Sequence, residues 1–376
     1  MDRPFKVLFI TAPIGSGHIR AAQAVSRVLR LKYQADVQIV NVFDFFSPWL
    51  GNTILKMYLK LLAVFPQFYG LMYQWGNDGS LALFGREVIS YFLARRMKHF
   101  ISACNPAVIV CTHATPAGLV ARLLHRKDIN IPSVAIITDF VVHRLWVYPE
   151  LDYYFVARST MQKYLQQYGI GPEKSQSTGI PVDLVFDQPF DRQQMEEKFQ
   201  FAHNIKTILI MGGGAGMLPI DEIITLCDTL DIPLQIIAVT GNNTKMYKKL
   251  RCIPLASQHH LRIEGFVDNV HEFMAAADLL ISKPGGMSSA EALSRGLPML
   301  IYHPIPGQEQ ANAQYLLEQK AAIRADSLSE LKSLLIDLLV QHPERLIFLK
   351  QQALGLGHPA AAEVIADRIY SKFFSG

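Results

Sequence analysis

The sequence has few cysteines, four in 376 residues, and none of them form a CxxC pair: Cys104, Cys111, Cys227 and Cys252 stand far apart. That spacing gives no support to a zinc ribbon or a dithiol redox centre and suits free thiols in a reducing compartment. Long apolar runs are also missing. The greasiest window, Leu50–Tyr73, is broken by Lys56, Lys60, Pro66, Gln67 and Gly70, whereas a spanning helix needs about 20 mostly apolar residues. The opening residues MDRPFKVLFITAPIGSGH hold a short apolar stretch without the h-region and cleavage site of a secretory signal. Low-complexity tracts are absent, which argues against long disordered regions. Acidic clusters of the kind that hold a metal are absent, so no metal site is expected. No recognition motif accompanies the basic residues, so no nucleic-acid partner is expected.

What is present is a chain half hydrophobic and 18% charged, long enough for two domains of roughly 150–200 residues. Its net charge of +4 is unevenly spread. Residues 1–180 carry 19 Lys and Arg against 10 Asp and Glu; residues 181–376 carry 17 against 22. A basic half joined to an acidic half predicts that one domain faces an anionic partner.

The hydrophobic pattern alternates between strand and helix. Lys6–Thr11 is a continuous apolar run, as in a strand covered on both faces. A Gly-containing loop, Ala12–His18, leads to a helical pattern over Arg20–Leu31, and Val37–Val42 is the next strand. That is the repeating unit of a parallel sheet. Further strands are expected at Ala107–Thr112, Ser133–Thr138 and Tyr153–Ala157, with a helix near Ala117–Leu124 and a turn at Thr178–Pro181. Residues 186–204 read as a connector and surface helix. A second set begins at Thr207–Met211 and continues through Leu234–Thr240, Leu261–Glu264, Leu279–Ser282 and Met299–Tyr302. The fold class expected is α/β, two doubly wound Rossmann-like domains facing across a cleft, with ligands beyond the carboxyl ends of the strands.

Residues 43–100 break this rhythm. Ile54, Leu55, Tyr58, Leu61, Leu62 and Phe65 share a helical face, Lys56 and Lys60 edge it, and aromatic residues crowd around. An interfacial helix lying on a membrane and a pair of core helices both need such a face, and both readings stay open.

Three stretches could do chemistry. Gly15-Ser-Gly-His18 follows a buried strand and opens a helix, where the dipole disfavours a protonated imidazole. A neutral His18 there can serve as general base toward a hydroxyl. Met211–Gly216 is a second Gly-rich loop after a strand. Its Gly-x-Gly-x-x-Gly register places Met217 at the third glycine, which argues against a nicotinamide cofactor but still lets backbone approach a diphosphate. Ser282–Pro298 carries Gly285 and Gly286 between a strand and a helix that contains Glu291: amides for a diphosphate, then a carboxylate for ribose hydroxyls. Gln308, Glu309 and Asn312 follow a strand in what reads as a tight turn, and such groups suit sugar hydroxyls. Asp139 and His143, in Thr138–Trp146, could meet an acceptor, orient His18 or cap a helix. Thr112-His-Ala-Thr115 is a weaker case of the same kind.

Taken together, GSGHxxAAxA at Gly15–Ala24, TDFxxHxxW at Thr138–Trp146, SKPGGxxxxEA at Ser282–Ala292 and PGQExxNA at Pro306–Ala313 resemble the monogalactosyldiacylglycerol synthase and processive diacylglycerol glucosyltransferase group. That group is related to the lipid II-forming N-acetylglucosaminyltransferase. The resemblance implies a GT-B fold. Residues 1–184 would be the acceptor- and membrane-binding domain, 185–357 the UDP-sugar domain, and 358–376 a helix returning to the first. It implies an inverting hexosyl transfer to diacylglycerol or a glycosyl-diacylglycerol, with UDP-sugar as substrate, no cofactor, and a peripheral place at the cytoplasmic face of an anionic membrane. Lys283-Pro-Gly-Gly-Met-Ser288 is nearer the bacterial glucosyltransferase form than the plant galactolipid form, which favours glucose over galactose.

By the same resemblance His18 is the base. Gly213, Gly214, Gly216, Lys283, Pro284, Gly285, Gly286 and Ser288 surround the diphosphate, Glu291 binds ribose, and Gly265, Phe266 and Val267 form the uracil loop. Gln308, Glu309 and Asn312 bind the donor sugar, and Gly17, Asp139, His143 and Trp146 lie on the acceptor side. The competing readings are transfer to a polyprenyl-linked cell-wall precursor, a nonhydrolysing sugar-nucleotide epimerase and a non-catalytic UDP-sugar sensor.

Overall fold

The computed structural model describes residues 5–13, 15–45, 94–213, 218–255 and 258–374. The expected interfacial or core helix over Ile54–Phe65 lies outside them, as do Gly214 and Gly216.

Two six-stranded sheets organise the chain, and every strand pair in them is parallel. The first contains β1 (Lys6–Thr11), β2 (Asp36–Asn41), β3 (Val108–Cys111), β4 (Ser133–Ile136), β5 (Tyr153–Val156) and β6 (Ser175–Ser177), in the order β2-β1-β3-β4-β5-β6. The second contains β7 (Lys206–Met211), β8 (Leu234–Val239), β9 (His260–Glu264), β10 (Leu279–Ser282), β11 (Met299–Tyr302) and β12 (Ala322–Ala325), in the order β12-β11-β10-β7-β8-β9. Winding reverses between β1 and β3 in the first sheet and between β7 and β10 in the second. A parallel sheet opens a crevice at the carboxyl end of such a reversal, because the flanking loops leave on opposite faces.

The chain divides into two compact units. One comprises residues 1–184, 306–308 and 359–376; the other comprises 185–305 and 309–358. In the first, Val7, Phe9, Val108, Val110, Val134 and Ile136 are fully buried beneath the helix Gly17–Tyr33 and the helix Ala361–Phe373. The late helix is fixed by Ile365, Ala366 and Ile369, all at zero exposure. At its rim, Lys32 Nζ lies 2.9 Å from both Glu363 and Asp367, and the Tyr33 and Tyr370 rings stack at 4.0 Å. In the second unit Ile208, Ile210, Ile236, Ala238, Leu279 and Ile281 form the sheet face beneath Ile220, Ile223 and Ile224.

Several boundaries differ from the sequence reading for physical reasons. The first helix begins at Gly17, not Arg20, so His18 stands inside its first turn. Thr112, Thr138 and Thr240 fall beyond the last ladder residues of β3, β4 and β8. The strands Ser175–Ser177 and Ala322–Ala325 were not foreseen; both are edge strands, one wholly polar and one interrupted by Arg324, so neither presents the apolar run of a central strand. Gln308, Glu309 and Asn312 are not in a tight turn: they lie in the helix Gln308–Glu318.

Candidate active site

The reversal between β1 and β3 sets the first cluster. After β1 the chain turns through Gly15, whose φ of +80° is a conformation that L side chains rarely adopt, and enters the helix at Gly17 with His18 next. The His18 Nδ1 is 2.9 Å from the Thr112 carbonyl oxygen and 2.7 Å from Thr138 Oγ1. Thr112 directly follows β3 and Thr138 lies just past β4, so the ends of neighbouring strands grip the ring. A carbonyl oxygen can only accept, so Nδ1 carries the proton and Nε2 is the bare nitrogen. Desolvation lowers the His18 pKa to about 4, with the Thr112 hydrogen bond acting in the opposite direction. The imidazole is therefore neutral at pH 7, with a lone pair on Nε2.

The remaining acceptor-side residues are more enclosed. Asp139, His143 and Trp146 are buried in the first unit. His143 Nδ1 accepts from the Leu145 amide at 3.2 Å, capping the short turn Arg144–Trp146. Asp139 accepts a hydrogen bond from the Gln308 amide, both within the first unit. Sequence reasoning named Thr138 and Thr112 only as the first residues of the stretches Thr138–Trp146 and Thr112–Thr115, not as the partners of the His18 ring. The available signal was the position of each threonine at the carboxyl end of a buried apolar run.

The reversal between β7 and β10 sets the second cluster. Ser282 Oγ donates to the Met211 carbonyl at 2.8 Å, joining the carboxyl ends of those strands. Gly213 turns the chain after β7 at φ +70°. Beyond β10, Lys283, Pro284 and Gly285 lead into the helix Gly286–Ser294, which has no side-chain cap. Its first intrahelical bond runs from Ser289 to the Gly285 carbonyl at 2.9 Å. The amides of Gly286, Met287 and Ser288 thus sit at the positive end of the helix, where an anion is favoured. Gly285, Gly286 and Ser288 keep partial exposure, while Glu291 is buried further along the same helix.

Helix Gln308–Glu318 braces this loop. The fully buried Asn312 donates from Nδ2 to the Pro284 carbonyl at 3.2 Å. Glu309 accepts from the Ile305 amide at 2.8 Å and from Lys283 Nζ at 3.3 Å. A carboxylate has about four lone-pair directions, so these two contacts leave acceptor capacity for a ligand. At the carboxyl end of β9, the Gly241 amide donates to the Gly265 carbonyl at 3.2 Å, and Phe266 beside it is 59% exposed. Val267 follows, half-buried. Among the described residues no group of three or more His, Cys, Asp and Glu is placed to hold a metal ion, and no helix is long and apolar enough to cross a membrane.

The arrangement of two doubly wound parallel units is shared with solved structures across nearly the whole chain. Acinetobacter baumannii MurG aligns over 98% of this chain and 100% of its own with a TM-score of 0.63 at 18% identity. The calicheamicin glycosyltransferase CalG4 aligns over 100% of both chains with a TM-score of 0.62 at 12% identity. Staphylococcus aureus MnaA, solved with UDP, aligns over 98% and 96% with a TM-score of 0.66 at 14% identity. At these identities the likeness establishes the fold, which is GT-B. Residues 207–356 match the glycosyltransferase family 28 C-terminal domain, and the protein is a glycosyltransferase. Residues 18–182 match the monogalactosyldiacylglycerol (MGDG) synthase family. A Bacillus cereus (strain AH187) protein named processive diacylglycerol beta-glucosyltransferase is 30% identical over 374 residues, 98% of this chain and 94% of the relative. A Bacillus thuringiensis (strain Al Hakam) protein of the same name is 30% identical over 97% and 93%. The chain belongs to this family of glycolipid-forming glycosyltransferases.

Proposed function

We propose that the protein transfers glucose from UDP-glucose to diacylglycerol, or to a glucosyl-diacylglycerol, with inversion at the anomeric carbon, at the cytoplasmic face of a membrane. The observation that carries this reading is the state of His18: a neutral imidazole whose Nδ1 proton is committed to the Thr112 carbonyl and whose Nε2 is left basic. A sugar-nucleotide sensor has no use for a base held in one tautomer by two strand ends.

In this reading the acceptor O–H gives its proton to His18 Nε2. The oxygen forms a bond to the anomeric carbon as the bond from that carbon to the UDP diphosphate breaks, and the electron pair leaves with the phosphate oxygen. The amides of Gly286, Met287 and Ser288, the Gly213 loop and the helix dipole meet the charge growing on the diphosphate. Lys283, the residue after β10, is assigned to the same diphosphate, with Glu309 as the ion-pair partner that holds its ammonium. Glu291 is assigned to ribose, Gly265–Val267 to the uracil, and Gln308 and Glu309 to the sugar. Asn312 acts from behind, holding the Pro284 carbonyl.

Glucose is preferred to galactose because the relatives named above are glucosyltransferases and because Lys283–Ser288 has the bacterial form. The basic 1–180 half supports an anionic lipid surface as the place of reaction. The test is a product assay with UDP-glucose or UDP-galactose and diacylglycerol in anionic vesicles, read by mass spectrometry. A hexosyl-diacylglycerol from UDP-glucose is expected, with a ladder if the product is reused. Product only with a polyprenyl-linked acceptor would overturn the lipid assignment. No product with any acceptor, despite UDP binding, would favour a sensor.

A further inference from the structure

The residue after Thr112 is a second histidine that the reading above leaves without a task. His113 follows β3 and precedes the helix Ala114–His125. Its Nδ1 accepts from the Thr115 amide at 3.1 Å, which makes it the cap of that helix. An imidazole nitrogen that accepts carries no proton, so in neutral His113 the hydrogen is on Nε2. His18 has the opposite tautomer, with Nδ1 donating to the Thr112 carbonyl and Nε2 bare. The two rings stand edge to face, their centroids 4.6 Å apart and their planes at 89°. Both residues keep partial exposure. The pair therefore carries one bare nitrogen and one N–H on two adjoining rings.

A hydroxyl is the complement of that pair, with one proton to give and lone pairs to receive. We propose that His113 is a second residue of the acceptor site, its Nε2–H donating to the acceptor hydroxyl oxygen and so aiming the hydroxyl proton at His18 Nε2. This rests on the reading of His18 as base. The ligand class is an alcohol, either the free hydroxyl of a diacylglycerol or a hydroxyl of a sugar already attached to one. The His113 proton is not consumed: the acceptor's own proton goes to His18 and the oxygen's electron pair goes to the anomeric carbon. Burial, and next the charge of His18, hold the His113 pKa well below its ordinary value. His113 thus stays neutral while His18 carries the transferred proton.

Two amide substitutions separate this role from plain helix capping. In His113→Asn the side-chain oxygen takes the place of Nδ1, so the cap is kept and the ε-position donor is lost. In His113→Gln an amide N–H reaches the ε position and the cap is lost. The expected result is a loss on the order of 10²-fold in kcat/KM for the acceptor in His113→Asn, with UDP affinity and Tm unchanged. His113→Gln is expected to keep more activity than His113→Asn while melting at a lower temperature. A His113→Asn protein as active as wild type, or equal loss in both variants, overturns the proposal. His18→Ala assayed alongside distinguishes the two readings. Turnover retained there means the base assignment has failed; an inactive His18→Ala beside a fully active His113→Asn means that only the His113 role has failed.

Discussion

His18 Nδ1 and the Thr112 carbonyl oxygen, 2.9 Å apart, join the first turn of one helix to the carboxyl end of the neighbouring strand. This contact decides which ring nitrogen is basic. Replacing His18 by Ala removes the proton acceptor without touching the second unit. Transfer is expected to fall by about 10²–10⁴-fold, the usual worth of a positioned base, with UDP affinity unchanged. Parallel turnover and calorimetric titration with UDP check this, and wild-type turnover would exclude His18 as the base.

The same environment fixes the direction of the pH response. His18 titrates near 6.5 when unfolded and about 4 when folded. The folded-state value is the lower one, so between these pH values the unfolded chain binds a proton that the native protein refuses. His18 contributes no pH dependence above 6.5. Below it, stability falls by at most about 1.4 kcal/mol per pH unit from this group, and the fall levels off below 4. Burial lowers the pKa of His113 as well, so its effect has the same sign. Urea midpoints of wild type and His18→Gln at pH 7.5, 6 and 5 test this. The variant should lose less stability on acidification, and identical slopes would count against a desolvated His18.

How much of this was legible in the sequence follows from the physics of each part. Buried parallel strands announce themselves as unbroken apolar runs, so Lys6–Thr11 and the 207–211 run each marked an interior strand of a sheet directly. The edge strands Ser175–Ser177 and Ala322–Ala325 gave no such signal, because one face or both stay polar. Glycine-bearing loops after strands drew attention to His18 and Gly285. The partners of His18 could not be read the same way. Thr112 and Thr138 lie 94 and 120 residues away, and only sheet order, with β3 beside β1, brings them to the ring. The masking of Asn312 was similar: its polar side chain suggested a ligand contact, and its zero exposure became apparent only with the helix it belongs to.

Asn312 and the Pro284 carbonyl supply a third test. Truncating Asn312 to Ala leaves a buried carbonyl without that donor, at a cost of about 1–3 kcal/mol. It also frees the loop that leads into the Gly286–Ser294 helix. Both a lower Tm and weaker UDP binding are expected. A loss of stability with UDP affinity intact would show that the loop does not need this brace to hold its ligand.

Ile365 reports on the late helix in the first unit's core. It is fully buried with Ala362, Ala366 and Ile369 against the first helix. Ile365→Ala should cost about 2–5 kcal/mol, the range for a large aliphatic cut back to Ala in a core that cannot fully collapse. Denaturant unfolding followed by a probe in each unit should show the first unit's transition moving to lower denaturant. An unchanged transition there would mean that the packing of Ala361–Phe373 contributes little to that unit.

The charge division makes the last prediction, and salt is its control. Residues 1–180 hold nine more basic than acidic side chains, while the rest hold five more acidic than basic. If the first half meets an anionic bilayer, the protein should co-sediment with vesicles containing anionic lipid more than with zwitterionic ones. Surface attraction of this kind is screened over about 8 Å at physiological ionic strength and about 3 Å at 1 M, so the anionic preference should shrink as salt rises. Apolar insertion depends on buried area and resists salt. Binding that is strong, equal on both vesicle types and insensitive to salt would therefore assign membrane attachment to apolar contact and remove the basic half from the explanation. A salt-sensitive anionic preference would place the excess positive charge on the lipid side of the reaction.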